Sequence, residues 1–196
     1  MKYNNAGREE KTYMVDIGVV YGRFQVLHLK HMEYILAAKM RCKKLYIGIV
    51  FQDDMRAAEE DNLNYRTKRS ANPLTYLERY EMIRDALLDF KVPREDFDIV
   101  PFPLERPEYL WQYVPKDATY FLSICDEWTE KNQKIFESRG FKTEVLWKRA
   151  PEEKGTTGTQ IRQRILAAEK WSDLVPKTVY EYVIEHGIDN RIKFTK

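Results

Sequence analysis

The sequence predicts an α/β fold: a doubly wound parallel sheet of five strands, helices on both faces, and a C-terminal helical extension. Two observations predict it. Short β-branched runs alternate along the chain with segments of helical periodicity. That alternation favours parallel strands, because a helix between two strands carries the chain back to the sheet's starting edge. Finally, 196 residues with 43% apolar content, and only eight glycines and eight prolines, suffice for a packed core and exclude a collagen-like or disordered chain. Residues 1–14 are polar and read as an extension, and residues 15–196 as one domain whose C-terminal helices begin at about 157.

The elements follow in order. Val15 to Tyr21 is a β-branched strand ending at Gly22. Met32, Ile35, Leu36 and Met40 fall near helical spacing, giving a helix from about Leu29 to Arg41. Leu45 to Phe51 is a second strand. Asp53 to Ser70 is charged and aperiodic, so it reads as a solvated loop or a lid over phosphates. Thr75 with Glu78 forms a capping box for a helix reaching about Phe90. Phe97 to Phe102 is a third strand, and Glu108 to Val114 a short Trp-containing helix. Thr119 to Ile124 is a fourth strand, followed by a helix from Thr129 to Arg139 that Gly140 closes. Thr143 to Trp147 is the fifth. Helices then run from Thr157 to about Glu169 and from Pro176 to before Gly187.

Thirty-three basic against 31 acidic residues leave a net charge of +2, which argues against a nucleic-acid or membrane surface. Two cysteines, Cys42 and Cys125, make neither a disulfide framework nor a zinc site and suggest a reducing compartment. The polar N-terminus lacks a signal-like apolar segment, so the expectation is a cytoplasmic protein.

In a doubly wound sheet, ligands bind at the carboxyl ends of the strands. The first strand is followed there by Gly22-Arg23-Phe24-Gln25-Val26-Leu27-His28-Leu29-Lys30-His31. Gly22 permits close backbone approach. His28 and His31 share one face of a helix start, where free N–H groups and the dipole favour anions. With Arg23 they form a compact anion site; a metal pair or two structural histidines are the other readings. Thr156-Thr157-Gly158-Thr159-Gln160-Ile161-Arg162 opens a second helix with hydroxyls and backbone amides, and Arg162 lies one turn in. A plain helix cap with a surface arginine is its alternative. Two basic helix starts after strands of one sheet favour a polyphosphate ligand.

These segments carry a resemblance. GRFQVLHLKH resembles the GRFQPxHxGH segment of nucleotidyltransferases related to class I aminoacyl-tRNA synthetases, and TTGTQIR resembles their S-G-T-x-I-R motif. NPLTYLER (Asn72 to Arg79), Trp111 after the third strand, and LVPKTVYEYV (Leu174 to Val183) are similar to segments of the archaeal-type nicotinamide-nucleotide adenylyltransferases. The resemblance covers about Val15 to Ile188. It implies a Rossmann-like sheet of the HIGH-motif type. It also implies transfer of AMP from ATP to nicotinamide mononucleotide or a related phosphate acceptor, with Mg²⁺ accompanying ATP and a homo-oligomeric assembly. His28 and His31 would face the α/β-phosphates, and Arg23 and Arg162 the β/γ-phosphates. Thr157, Gly158 and Thr159 would hold phosphate and adenosine, and Trp111 would wall the nicotinamide ring. Gly22, Phe24, Gln25, Thr156 and Asn72 belong to the same matched segments.

The sequence departs from that pattern in four places. Val26 replaces a proline, and Ala71 stands where an arginine often precedes the N-P-F-T segment, leaving Arg66, Lys68 or Arg69 to substitute. Lys30 replaces a glycine against which adenosine packs; its ammonium would reach phosphate or its bulk would intrude on the nucleoside. Ser123-Ile124-Cys125-Asp126-Glu127-Trp128 replaces S-G-N-P, with Asp126 available for ribose and Trp128 for a ring. Trp147 and Trp171 read as packing residues. Another nucleotidyl transfer, cytidylyl included, and a nucleotide-binding protein without turnover are the competing functions.

Overall fold

The computed structural model describes residues 15–50, 69–150, 153 and 155–194. Five strands, β1 (Val15–Gly22), β2 (Cys42–Val50), β3 (Phe97–Phe102), β4 (Thr119–Ile124) and β5 (Lys142–Lys148), form one all-parallel sheet in the order β3-β2-β1-β4-β5. The expected doubly wound α/β architecture is the observed one. The helices are α1 (Leu29–Lys39), α2 (Tyr76–Asp89), α3 (Glu127–Ser138), α4 (Gly158–Leu166), α5 (Lys177–Glu185) and α6 (Ile188–Phe194).

Alternation along the strands builds two cores. Val20, Ile47, Ile49 and Phe121 face α1, α2 and α4 to α6, which contribute Met32, Ile35, Met82, Ile83, Ile161, Ile165, Val179 and Ile188. On the other face Val19, Tyr120, Leu122 and Phe102 pack with Phe136 of α3 and Leu110 of a 3₁₀ turn, Pro107–Gln112. Fully burying side chains of this size contributes roughly 1.5–3 kcal/mol each.

Several boundaries shift for identifiable reasons. α3 begins two residues ahead of Thr129, because Asp126 caps it: its carboxylate accepts from the Thr129 N–H, and the Thr129 hydroxyl accepts from the Asp126 N–H. α4 ends at Leu166, and Ala168 adopts a φ of 53° just beyond. The C-terminal extension holds a second helix, α6, too short to stand out by period; Gly187, at a φ of 61°, separates it from α5. Thr75 and Glu78 cap α2 reciprocally, as the sequence predicts. The N-terminal extension and most of the segment from Asp53 to Ser70, Arg66 and Lys68 included, lie outside the described residues. No described helix is long and apolar enough to cross a membrane.

Between β1 and β4 the strand order reverses. Their ladder is confined to Gly18 with Thr119 and Val19 with Tyr120, so the carboxyl ends beyond it are not laddered to each other. The Tyr34 hydroxyl of α1 spans the gap and donates to the Phe121 carbonyl at 2.5 Å. A crevice therefore opens at this switch point.

Candidate nucleotide-binding site

A cavity of about 430 Å³ occupies that crevice, within the size range of small-molecule sites. One end of it is basic. His28 caps α1, its Nδ1 accepting from the His31 N–H at 3.2 Å. The two imidazoles stack with centroids 3.5 Å apart, and the Phe24 ring meets His31 edge-on at 5.0 Å. The stack follows from the three-residue spacing, which sets both rings on one helix face. Phe24 adopts a left-handed φ of 52°, turning its ring back over Gly22; a Cβ on Gly22 would lie 2.9 Å from that ring.

The second basic helix start is locked onto the first. Thr157 caps α4 by accepting from the Gln160 N–H. The buried Arg162 donates to the Gln25 carbonyl and to the Thr159 hydroxyl. Gly158 lies so close that a Cβ there would sit 2.3 Å from the Gln25 carbonyl oxygen. Gln25 in turn exchanges two hydrogen bonds with the Leu74 backbone, at 3.0 and 2.9 Å, tying the loop to the NPLT segment. These ties preorganise two helix N-termini around one space, the arrangement a polyphosphate requires.

Toward β4 and β5 the lining is aromatic, with Trp128 from the start of α3 and Trp147 from β5, and Tyr34 of α1 meets Trp147 edge-on at 6.3 Å. The β4–β5 register shifts between Leu122 and Ser123, skipping Leu146, so that Trp147 stands opposite Ser123; its indole N–H donates to the Ser123 hydroxyl at 2.7 Å. Arg149 stacks on Trp147 at 4.4 Å and pairs with Glu33 at 2.7 Å. Glu33 also receives Lys30 at 2.8 Å, and these hydrogen bonds from Arg149 and Lys30 hold its carboxyl down to about 2.

The sequence places most of this site but not all. Gly22, Arg23, Phe24, Gln25, His28, Lys30, His31, Thr156, Thr157, Gly158, Thr159, Arg162 and Trp128 line one cavity. Trp111 is not among them: half-buried, it stacks on Phe141 at 4.3 Å against the second core. Asp126 caps α3, and neither it nor Asn72 is among the lining residues, the loop contact falling to Leu74. Lys30 turns its ammonium to Glu33. Trp147, expected as packing, lines the cavity, as does Cys125, whereas Trp171 is core.

Arg79 carries a role the sequence did not reveal. It is 6% exposed and donates to the carbonyls of Arg23, Val50 and Thr75, fixing the backbone of the loop after β1 to β2 and α2. Burial pulls its guanidinium down to about 10, which leaves it charged near neutrality. A charged residue within an otherwise helical apolar pattern, as at Arg79, was the available signal. Arg149, just past the end of β5, was findable by its place after a strand.

A doubly wound sheet with two helix N-termini converging on a basic crevice at its switch point defines a nucleotide-binding α/β protein. The chain belongs to the cytidylyltransferase-like family, whose model matches residues 19–164, and it is thereby a nucleotidyltransferase. It is 42% identical to a phosphonoformate cytidylyltransferase of Streptomyces viridochromogenes, over 90% of this chain and 95% of that protein. It is 28% identical to a nicotinamide-nucleotide adenylyltransferase of Saccharolobus solfataricus, over 90% of this chain and 94% of that one. A bifunctional NMN adenylyltransferase/ADP ribose pyrophosphatase of Francisella tularensis superposes with a TM-score of 0.63 at 17% identity, over 92% of this chain and 53% of that one, a likeness of fold.

Proposed function

We propose that the protein transfers CMP from CTP to a small phosphonate or phosphate acceptor, releasing pyrophosphate. The observation that carries this reading is the 42% identity to a phosphonoformate cytidylyltransferase along nearly the whole of both chains. The occupied space beside Lys30, where the resembled motif has glycine, supports it, because a pyrimidine needs less room than a purine.

The chemistry follows from the basic end of the site. An acceptor oxygen attacks the α-phosphorus in line, the bond to the β-phosphate oxygen breaks, and pyrophosphate leaves with that electron pair. His28, His31, Arg23 and the amides starting α1 and α4 oppose the charge that develops. Arg162 holds the two helix starts in register through Gln25. Mg²⁺ would enter with the triphosphate, ligated by its oxygens and water, because no carboxylate lines the cavity among the described residues.

Adenylyl transfer to nicotinamide mononucleotide is the second reading, favoured by the 28% relative. Pyrophosphate release measured with CTP and with ATP, each against phosphonoformate and nicotinamide mononucleotide, separates the two. Turnover with CTP and phosphonoformate is expected; NAD formation from ATP and nicotinamide mononucleotide, with no turnover of CTP, would replace this reading by the second.

A further inference from the structure

Resting on the cytidylyl reading, we infer that Glu33 sets base selectivity by drawing Lys30 and Arg149 across the aromatic end of the cavity, so that a pyrimidine fits and a purine does not. The cavity has one end suited to phosphates, at His28, His31 and the start of α4, and one suited to a flat ring, at Trp128 and Trp147. The base therefore lies toward β4 and β5. Glu33 bridges two cations there, Lys30 at 2.8 Å one turn earlier on α1 and Arg149 at 2.7 Å from beyond β5.

The bridge fixes shape as well as charge. Arg149 is stacked on Trp147, so its guanidinium extends the aromatic wall. The Lys30 stem lies along Gly155: a Cβ there would be 3.1 Å from Lys30 Cε and 3.7 Å from its Cγ. The side chain thus fills the gap between α1 and the segment entering α4. Glu33 is a positioning residue, acting through Lys30 and Arg149. Without its charge, the two cations repel each other and the wall opens.

The test uses the full chain, with Glu33→Gln and Lys30→Gly made separately and thermal melts confirming that each folds. Calorimetric titration gives the affinities for CTP and ATP. Wild type is expected to prefer CTP. In Lys30→Gly, which removes the filling side chain, that preference falls by about tenfold, the level at which cavities discriminate small groups; in Glu33→Gln it falls by about threefold to fivefold, the most an exposed ion pair can hold. A preference unchanged in Glu33→Gln overturns the inference, whatever Lys30→Gly does. A parallel loss for both nucleotides also overturns it, because it marks a phosphate contact. Wild type that prefers ATP defeats the cytidylyl reading itself, recognisable before any variant is made.

Discussion

Gly158→Ala tests whether the two helix starts must touch. The added Cβ would lie 2.3 Å from the Gln25 oxygen, 2.8 Å from its carbonyl carbon and 3.1 Å from the Val26 nitrogen. All three are backbone atoms, so no rotamer relieves the contact. Optimal separations near 3.5 Å require a displacement of about 1 Å of the loop or of α4. Helix propensity works the other way, favouring alanine by at most about 1 kcal/mol, and less in a first turn. Overpacking costs roughly 1–3 kcal/mol, so the net effect is destabilising. A melting temperature lower by about 2–6 °C is expected for a chain of this length. Activity should fall further, by about 10²-fold in kcat/KM, because the shift moves the Arg162 contact with Gln25 and misplaces both phosphate-binding helix starts. A continuous pyrophosphate-release assay and a thermal melt decide it. A variant at least as stable as wild type, with kcat/KM within about threefold, would refute the argument that this contact preorganises the site.

Three other outcomes are expected. His31→Ala should remove about 2.7–4 kcal/mol of transition-state stabilisation while the fold persists; circular dichroism with steady-state rates checks both, and near-wild-type turnover would exclude His31 from the chemistry. Arg79→Met should destabilise by about 2 kcal/mol or more, since the Arg23, Val50 and Thr75 carbonyls lose a charged donor, and urea unfolding without such a loss would contradict its structural role. Glu33, lowered to about 2 from an ordinary 4.5, contributes stability that is present above pH 4.5 and lost as pH falls toward 2. The stability gap between wild type and Glu33→Gln should therefore close across that acid window; solvent exposure of the pair keeps it under about 1 kcal/mol, and a gap constant with pH would count against the ion pair.

The sequence by itself determined the elements and the basic end of the site. β-Branched runs marked the strands, Thr75 and Glu78 the start of α2, and the histidine spacing the shared face of α1, because each rests on contacts a few residues apart. Tertiary structure decided which side chains reach the crevice. Trp111 and Trp147 are both half-buried; one stacks on Phe141 against the second core, whereas the other stands opposite Ser123 in the β4–β5 pairing and lines the crevice. The capping of α3 by Asp126 came to light only in the structure, where its carboxylate accepts from the Thr129 N–H. Arg79 and the Lys30–Glu33–Arg149 bridge depend on partners up to 116 residues apart, and chain distance of that order leaves no periodic trace. Local hydrogen bonding and period wrote the fold into the sequence, whereas the shape of the crevice arises only where separate strands and helices meet.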